Sequence, residues 1–414
     1  MNRHALMLLE GLPYRLDPRV RAQAAALRDA GWDVTVASPD TAGDPRDDLI
    51  DGIRLRCFST PPGGRGAVSY AREYGLACAR LATLALAVDR ERPVDLVLVC
   101  APPDFLVAVA QPLAWRGAAV VLDQREISPE LLEAKFGRRP ALRRLLLLAE
   151  RYAFRRADAV ITASEAFAEL ARERSGADAA RVFLVGNGPD PGRVHAVAPR
   201  PELRRGRRHV VLWLGRMSAQ ERLEILLDAA EEVVRRRGRT DVHFAIVGDG
   251  DARAALTRTL TERKLEDFVE MTGSVDDDLV RAYICTADIC VGVDERNSMN
   301  DRVAMRKVLE YMALGKAVVQ FPLAEMRRLC GDACEYARDG DASDVAAQIC
   351  ALLDDGARRR RLGEAARRRA WDGLMWPQQV PALLGAVDAA LARRAASPAR
   401  RLPAAALRRV EAQR

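Results

Sequence analysis

Lys307 and Glu310 lie three residues apart near the start of a predicted helix, so they share one of its faces. The helix is predicted over residues 305–314, where apolar side chains recur at helical spacing, and Gly315 is suited to end it. An irregular polar segment that begins at Asp294 leads into this helix. A polar loop that delivers a helix N-terminus, with a cation and a carboxylate on one face, suits an anionic and hydroxyl-rich ligand. A surface helix with an ordinary Lys–Glu pair is the alternative.

The elements that must position this pair alternate between strands and helices along nearly the whole chain of 414 residues. The alternation stops once, at a polar segment rich in Gly, Pro and Arg, and then restarts. This pattern predicts an α/β protein with two doubly wound parallel sheets. The predicted parts are an N-terminal Rossmann-like domain over 1–190, a linker over 191–208, a C-terminal Rossmann-like domain over 209–375, a helix over 376–394 that crosses back to the first domain, and a disordered basic tail over 395–414.

Residues directly after the predicted strands are candidates for binding, because doubly wound sheets bind ligands outside the carboxyl ends of their strands. Arg216 follows a strand and a glycine, and its guanidinium could fork onto a diphosphate. The Gly-Asp-Gly sequence at 248–250 is an incomplete dinucleotide fingerprint, since Arg253 stands where the third glycine would be. It predicts either a nicotinamide cofactor or a plain glycine turn.

Charged residues also follow a buried strand in the first half, namely Asp123, Arg125, Glu126 and Glu130. They form either a site or a solvated loop. Four arginines flank the apolar run at 145–148 in the same half, namely Arg138, Arg139, Arg143 and Arg144. Such a basic amphipathic segment could rest on anionic lipid, and the alternative is a surface helix whose leucines face the core.

Composition excludes several classes of function. The net charge is +7, but the sequence has no basic stripe interleaved with aromatic residues, so nucleic acid is not an expected partner. The eight cysteines form no Cys-x-x-Cys pair and the four histidines are not clustered, which argues against a zinc site and favours a reducing compartment. No apolar run approaches the ~18 residues of a spanning helix, and the first residues lack a signal peptide pattern. We therefore expect a cytoplasmic protein, with peripheral contact at the inner face of the membrane.

The chain resembles the retaining glycosyltransferases of family 4 over about residues 5–390. The segments that carry the resemblance are LDPRVRAQAAALRDAGWDVTVAS, LDQREISPELLEAKFG, VFLVGNGPD, LGR, FAIVGDGD, VEMTGSVDDD and, most specifically, KVLEYMALGKAVVQF. The resemblance implies the GT-B fold, in which two Rossmann-like domains face a cleft. It further implies transfer of a sugar from a nucleotide-sugar donor to a saccharide, lipid-linked or small-molecule acceptor, as in polysaccharide or natural-product biosynthesis.

The same resemblance implies the roles of particular residues. Glu310 would bind the ribose hydroxyls and Arg216 the diphosphate, with Lys307 helping or bracing the loop. Other donor-side residues would be Gly215, Gly248, Asp249, Gly250, Asp294, Asn297, Asn300 and Asp301. Acceptor-side residues would be Gly11, Asp123, Arg125 and Glu126. No metal or other cofactor is expected, and front-face attack would retain the anomeric configuration without a fixed nucleophile.

Several positions depart from the pattern of this family. Arg302 stands where a first glutamate is frequent, eight residues before Glu310. Glu221 stands at the position of a lysine, and the Arg222 that follows could replace that cation. These departures leave two alternatives open: a catalytically degenerate homologue that acts as a partner subunit, and a GT-B sugar-nucleotide epimerase.

Overall fold

The computed structural model describes residues 2–40, 46–59, 67–175, 179–218 and 221–397, which form two compact units. Unit 1 comprises Met1–Val185 and Val380–Arg414, and unit 2 comprises Gly186–Gln379. The predicted tail lies outside the described residues from position 398 onward.

Unit 1 is built on an eight-stranded sheet in the order β3-β4-β2-β1-β5-β6-β7-β8. Every pair is parallel except the antiparallel edge pair β3–β4. The central strands β1, β5 and β6 are buried along their whole length, as expected for a sheet covered on both faces. The strands are β1 His4–Leu9, β2 Asp33–Pro39, β3 Asp47–Ile50, β4 Ile53–Phe58, β5 Leu96–Ala101, β6 Ala119–Gln124, β7 Ala159–Thr162 and β8 Val182–Leu184.

Six helices follow these strands, and a seventh returns from unit 2. They are α1 Pro18–Asp29, α2 Ala67–Glu91, α3 Val107–Arg116, α4 Ser128–Phe136, α5 Pro140–Arg156 and α6 Glu165–Ser175. The returning helix, numbered α14, covers Trp376–Ala395, and its residues from Val380 onward belong to unit 1. Asp17 caps α1, because its Oδ1 accepts hydrogen bonds from the backbone amides of Arg19 and Val20.

Unit 2 is built on a six-stranded, wholly parallel sheet in the order β11-β10-β9-β12-β13-β14. Its strands are β9 His209–Leu214, β10 Val242–Val247, β11 Val269–Met271, β12 Ile289–Gly292, β13 Ala317–Gln320 and β14 Glu335–Tyr336. Its helices are α7 Leu223–Glu231, α8 Arg253–Glu262, α9 Asp277–Thr286, α10 Arg306–Ala313, α11 Ala324–Cys330, α12 Ala342–Asp354 and α13 Gly356–Gly373. The two doubly wound sheets confirm the predicted fold class.

Two local features differ from the sequence-based expectation. The segment at 191–208, predicted as a linker, packs into unit 2, where Val194 and Leu203 join the apolar core around Tyr283. The short edge strands β3 and β14 were not predicted, because neither carries a clear apolar alternation. None of the helices in the described part of the chain is long and apolar enough to span a membrane.

Candidate active site

Glu310 lies on the buried face of α10 and is 3% exposed. Its Oε1 accepts a hydrogen bond of 3.0 Å from Nε of Arg306, one turn earlier, and is also paired with the guanidinium of Arg193. Arg193 comes from the segment at 191–208 and additionally donates to Oδ1 of Asp277 at 2.6 Å. None of the described residues donates to Oε2 of Glu310. One oxygen of this buried carboxylate is therefore fixed and the other can accept hydrogen bonds from a ligand.

Lys307 is held between two carboxylates and an aromatic ring. Its Nζ donates to Oδ1 of Asp294 at 2.9 Å and to Oε2 of Glu221, and it lies 4.8 Å from the centre of the Trp213 ring. Burial lowers the pKa of Lys307, but the two carboxylates raise it more, so the net shift is upward. Burial, reinforced by Asp294, raises the pKa of Glu221 to about 7 against the opposing effect of Lys307. Lys307 therefore braces the loop after β12, and both of its carboxylate partners are already part of the fold.

Glycines after β9 and β10 allow backbone segments to approach closely. A Cβ at Gly248, whose φ is +136°, would lie 1.8 Å from the carbonyl oxygen of Gly215. A Cβ at Gly250 would lie 2.2 Å from the carbonyl oxygen of Met217. Between them, Asp249 accepts a 2.7 Å hydrogen bond at Oδ1 from the amide of Gly250. The two glycines are thus required by the packing of this turn, which accounts for their spacing without a dinucleotide.

Arg216 follows β9 at the carboxyl edge of the second sheet. Its side chain is exposed and makes no ion pair with any residue that the structure describes. The strand end before it is fixed by Tyr311, whose hydroxyl oxygen accepts a 2.7 Å hydrogen bond from the amide of Leu214. Arg222, predicted to replace a missing cation, is instead paired with Glu295. Arg216 thus has a fixed backbone and an unengaged guanidinium.

The loop between β12 and α10 is organised by its own polar side chains. Oδ1 of Asn297 accepts hydrogen bonds from the amides of Met299 at 2.9 Å and Asn300 at 2.8 Å. The side-chain Nδ2 of Asn300 donates to the backbone carbonyl of Glu295 at 2.9 Å. Oδ1 of Asp301 accepts a 2.8 Å hydrogen bond from the amide at the start of α11. These side chains shape the loop, and its backbone amides from Met299 to Val303 all donate to acceptors within the loop itself.

Asp123, predicted on the acceptor side, is 0% exposed and fully engaged within unit 1. Arg19 donates to both of its oxygens, at 2.7 Å and 3.0 Å, and Gln23 donates to Oδ2 at 2.9 Å. A third nitrogen of Arg19 donates to the carbonyl of Val185 at 2.8 Å. The prediction that Asp123 faces an acceptor is therefore wrong, because it is part of a buried ion pair that ties β6 to α1.

The other acceptor-side candidates differ in their surroundings. Arg125 is 2.6 Å from Oδ2 of Asp17, the capping residue of α1, and this carboxylate raises the pKa of Arg125 against the effect of burial. Glu126 is half-buried and has no partner among the described residues. Gly11 is exposed, and a Cβ there would meet open space. Only Gly11 and Glu126 thus remain open to an acceptor as the structure stands.

Sequence reasoning missed several residues of this constellation. Arg193 and Arg306 hold Glu310, and Trp213 lies beneath Lys307. The spacing of Arg306 four residues before Glu310 was a detectable signal. Arg193, 117 residues away in sequence, offered none. Among the residues that the structure describes, no group of three or more His, Cys, Asp or Glu side chains is arranged to hold a metal ion.

Two family profiles match this chain, one in each unit. Residues 16–188 match the glycosyl transferase 4-like domain, and residues 208–355 match the glycosyl transferases group 1. Among curated proteins, the chain is 29% identical over 226 residues to the alpha-D-kanosaminyltransferase of Streptomyces kanamyceticus, over 53% of this chain and 57% of that protein. It is 27% identical to the 2-deoxystreptamine N-acetyl-D-glucosaminyltransferase of Streptomyces fradiae, over 54% of this chain and 53% of that protein. The chain thus spans a little over half the length of these relatives.

Solved structures share the fold over almost the whole chain. The sucrose-phosphate synthase from Thermosynechococcus elongatus superposes with a TM-score of 0.74 at 19% identity, covering 92% of this chain and 96% of that one. The Anabaena protein HepE in complex with UDP-glucose superposes with a TM-score of 0.69 at 17% identity, covering 93% of this chain and 99% of that one. By its two profile matches and its GT-B fold, this chain belongs to the family 4-like group 1 glycosyltransferases.

Proposed function

We propose that this chain transfers a sugar from a nucleotide-sugar donor to an acceptor and that unit 2 binds the donor. Glu310 carries this proposal, because its carboxylate is buried, held at Oε1 by two arginines and open at Oε2. A carboxylate that is held at one oxygen and open at the other is suited to accept hydrogen bonds from the vicinal hydroxyls of a ribose. The UDP-glucose bound to the Anabaena neighbour supports a nucleotide sugar as the donor.

In this proposal Arg216 binds the diphosphate. Its guanidinium is exposed, unpaired among the described residues and located at the carboxyl edge of the second sheet. Arginine forks onto phosphate oxygens and stabilises the charge that develops on the leaving diphosphate, with help from the N-terminus of α10. Lys307 positions the loop after β12, and the turn at Gly248–Gly250 borders the base. We propose that these groups replace a metal ion.

We further propose that transfer retains the anomeric configuration. The acceptor hydroxyl would attack the anomeric carbon on the face from which the diphosphate departs. The bond from that carbon to the phosphate oxygen would break as the new glycosidic bond forms. The hydroxyl proton would pass to the leaving phosphate oxygen, so that no protein nucleophile is required.

Incubation with UDP-, GDP- and TDP-sugars, followed by detection of the released nucleoside diphosphate, tests the reaction class. Proton NMR of the product compares its anomeric configuration with that of the donor. A parallel reaction with EDTA tests metal independence, and we expect an unchanged rate. An inverted product would contradict the mechanism, and loss of turnover with EDTA that Mg²⁺ restores would contradict metal independence.

A non-catalytic homologue is the second candidate, and Glu221 favours it. This carboxylate stands where the resemblance predicts a lysine, and it engages Lys307. Calorimetric titration with UDP, GDP and TDP separates the candidates when combined with the turnover assay. Binding with turnover supports the enzyme, whereas binding without turnover for any donor supports the homologue.

We also propose that one face of α5 contacts an anionic membrane. Leu142, Leu145 and Leu148 are 37%, 60% and 61% exposed, and the exposed Arg144 and Arg151 lie on the same side of the helix. An exposed leucine stripe edged by arginine favours the interface of anionic lipid. Exposure of these leucines is the observation that distinguishes this face from an ordinary surface helix.

Vesicle flotation tests the membrane proposal. We expect the protein to float with phosphatidylglycerol vesicles at low salt and to remain free with phosphatidylcholine vesicles. Leu145→Ser combined with Leu148→Ser should abolish flotation. The matched control replaces the exposed Leu49 on the edge strand β3 with Ser, and it should float like the wild type. Equal flotation of the double variant and the wild type would contradict the proposal.

A further inference from the structure

Three carboxylates are buried together at the carboxyl edge of the first sheet. Asp104 follows β5 and is 3% exposed, Glu130 lies on α4 and is 5% exposed, and Glu150 lies on α5 and is 1% exposed. Arg174, on α6, approaches both glutamates, at 3.0 Å from Oε2 of Glu130 and 3.3 Å from Oε2 of Glu150. We call these four side chains together with Ser128 the acid cluster.

The acid cluster carries more negative than positive charge. Arg174 faces the two glutamates, and the more exposed Arg143 lies 3.5 Å from Glu130. Asp104 accepts a 2.7 Å hydrogen bond from the hydroxyl of Ser128 and has no cationic partner among the described residues. Burial raises the pKa of Asp104 to about 6. Burial also raises the pKa of Glu150 to about 7, with a contribution from the charge of Asp104 and against the opposing effect of Arg174. Burial therefore opposes ionisation of these two carboxyl groups, and an added cation would stabilise their charged forms.

A second observation points to a ligand that donates hydrogen bonds. Gln124, at the end of β6, is 0% exposed, and its Nε2 donates to Oε1 of Glu150 at 3.1 Å. The oxygen of the same amide, Oε1, is buried and has no hydrogen-bond partner. A buried acceptor without a donor is uncommon, because its desolvation is not repaid. The orphaned oxygen therefore belongs to a buried side chain whose amide nitrogen contacts the acid cluster.

We propose that the acid cluster is a subsite for the ammonium group of an amine-bearing acceptor. An ammonium group supplies a positive charge for Asp104 and Glu150, and its N–H donors are the chemistry that Oε1 of Gln124 lacks. The site lies outside the carboxyl ends of β5 and β6, where doubly wound sheets bind ligands. Half-buried Ser128 and the partly exposed Arg174 connect it to the surface. The inference rests on the proposed transferase function, since it names the chemistry of the acceptor.

Titration of the full chain with three matched sugars tests this subsite. D-Glucosamine carries the ammonium group, D-glucose replaces it with a hydroxyl, and N-acetyl-D-glucosamine removes its charge. In calorimetry with saturating UDP, we expect D-glucosamine to bind at least ten times more tightly than either neutral sugar. Equal affinities for the three sugars would overturn the proposal. A preference for D-glucosamine that MgCl₂ abolishes by competition would also overturn it, because the cluster would then bind cations without selecting amines.

Variants locate the preference in the acid cluster. Asp104→Asn and Glu150→Gln preserve shape, and each should reduce the preference for D-glucosamine at least tenfold. Glu173→Gln is the control, because Glu173 is exposed on α6 beside Arg174 and its replacement changes the net charge equally. A thermal melt shows whether each variant is folded. If only one of Asp104→Asn and Glu150→Gln folds, that variant alone is compared with Glu173→Gln. Retention of the preference in a folded cluster variant would overturn the proposal.

Titrations with UDP, GDP and TDP in the absence of sugar are read separately. Donor binding is assigned to unit 2 in our proposal, so absence of binding with all three nucleotides would contradict the proposed transferase function and not the amine preference.

Discussion

Replacement of Glu310 by glutamine tests the donor site most directly. Glutamine preserves the size of the side chain but removes the charge that holds Arg193 and Arg306. At the proposed ribose position it also replaces a carboxylate oxygen either with the neutral amide oxygen, which is a weaker acceptor, or with the amide NH₂, which is a donor. We expect the variant to fold, to bind nucleoside diphosphate weakly and to transfer sugar slowly.

The magnitude follows from the burial of this carboxylate, which is 3% exposed. A hydrogen bond to a charged group contributes about 1.5–3 kcal/mol, so loss of the ribose contact should weaken UDP binding roughly 10- to 150-fold. Removal of one partner from a buried ion pair costs about 3–5 kcal/mol of folding free energy. Because both arginines are partly exposed, we expect Glu310→Gln to lose folding free energy near the lower end of this range. The variant should therefore melt at a lower temperature than the wild type.

Calorimetric UDP titration and a thermal melt together separate the two effects. Glu270→Gln is the matched control, because Glu270 is an ion-paired carboxylate of unit 2 whose partner is Arg205. His243 and, after it, Arg205 hold the pKa of Glu270 at about 2 against the effect of burial, so this control should also lose stability while binding UDP like the wild type. UDP binding by folded Glu310→Gln with wild-type affinity would refute the assignment of Glu310.

Three further predictions concern other parts of unit 2. Arg216→Ala should reduce the rate of transfer about 10²- to 10³-fold without a change in melting temperature, because the side chain is exposed and unpaired among the described residues; an unchanged rate would remove Arg216 from the site. The pKa of Glu221 is about 7 in the folded protein against an ordinary 4.5, so between these pH values the folded state keeps a proton that the unfolded state has lost. The free energy of unfolding should therefore fall by up to about 3 kcal/mol as pH rises from 4.5 to 7. Urea unfolding across that range should show a flatter profile for Glu221→Gln but not for the exposed Glu224→Gln, and identical profiles would contradict this origin. Gly248→Ala should cost about 2–4 kcal/mol in urea unfolding, since its Cβ would lie 1.8 Å from a carbonyl oxygen, whereas Gly11→Ala should cost little.

The candidate site was partly predictable from local sequence. The loop that begins at Asp294 and the helix around Lys307 and Glu310 follow from helical spacing and from the glycine that ends the helix. The surroundings of these residues were not predictable, because Lys307 meets Glu221 across 86 residues of sequence. Asp123 shows the opposite error, since its place at a strand end suggested binding and its actual partner, Arg19, lies 104 residues earlier.

Local sequence predicted most of the elements, the two doubly wound sheets and the positions at strand ends where a ligand is expected. Those properties depend on periodicity, capping and turn residues, which act over a few neighbours in the chain. Which charges are engaged follows only from the folded arrangement of the chain. Oε1 of Glu310 is held by Arg193 while Arg216 remains exposed, and Asp104 and Glu150 are buried with an excess of negative charge. Ion pairing and burial depend on side chains brought together from distant segments, so they become visible only when the chain is folded.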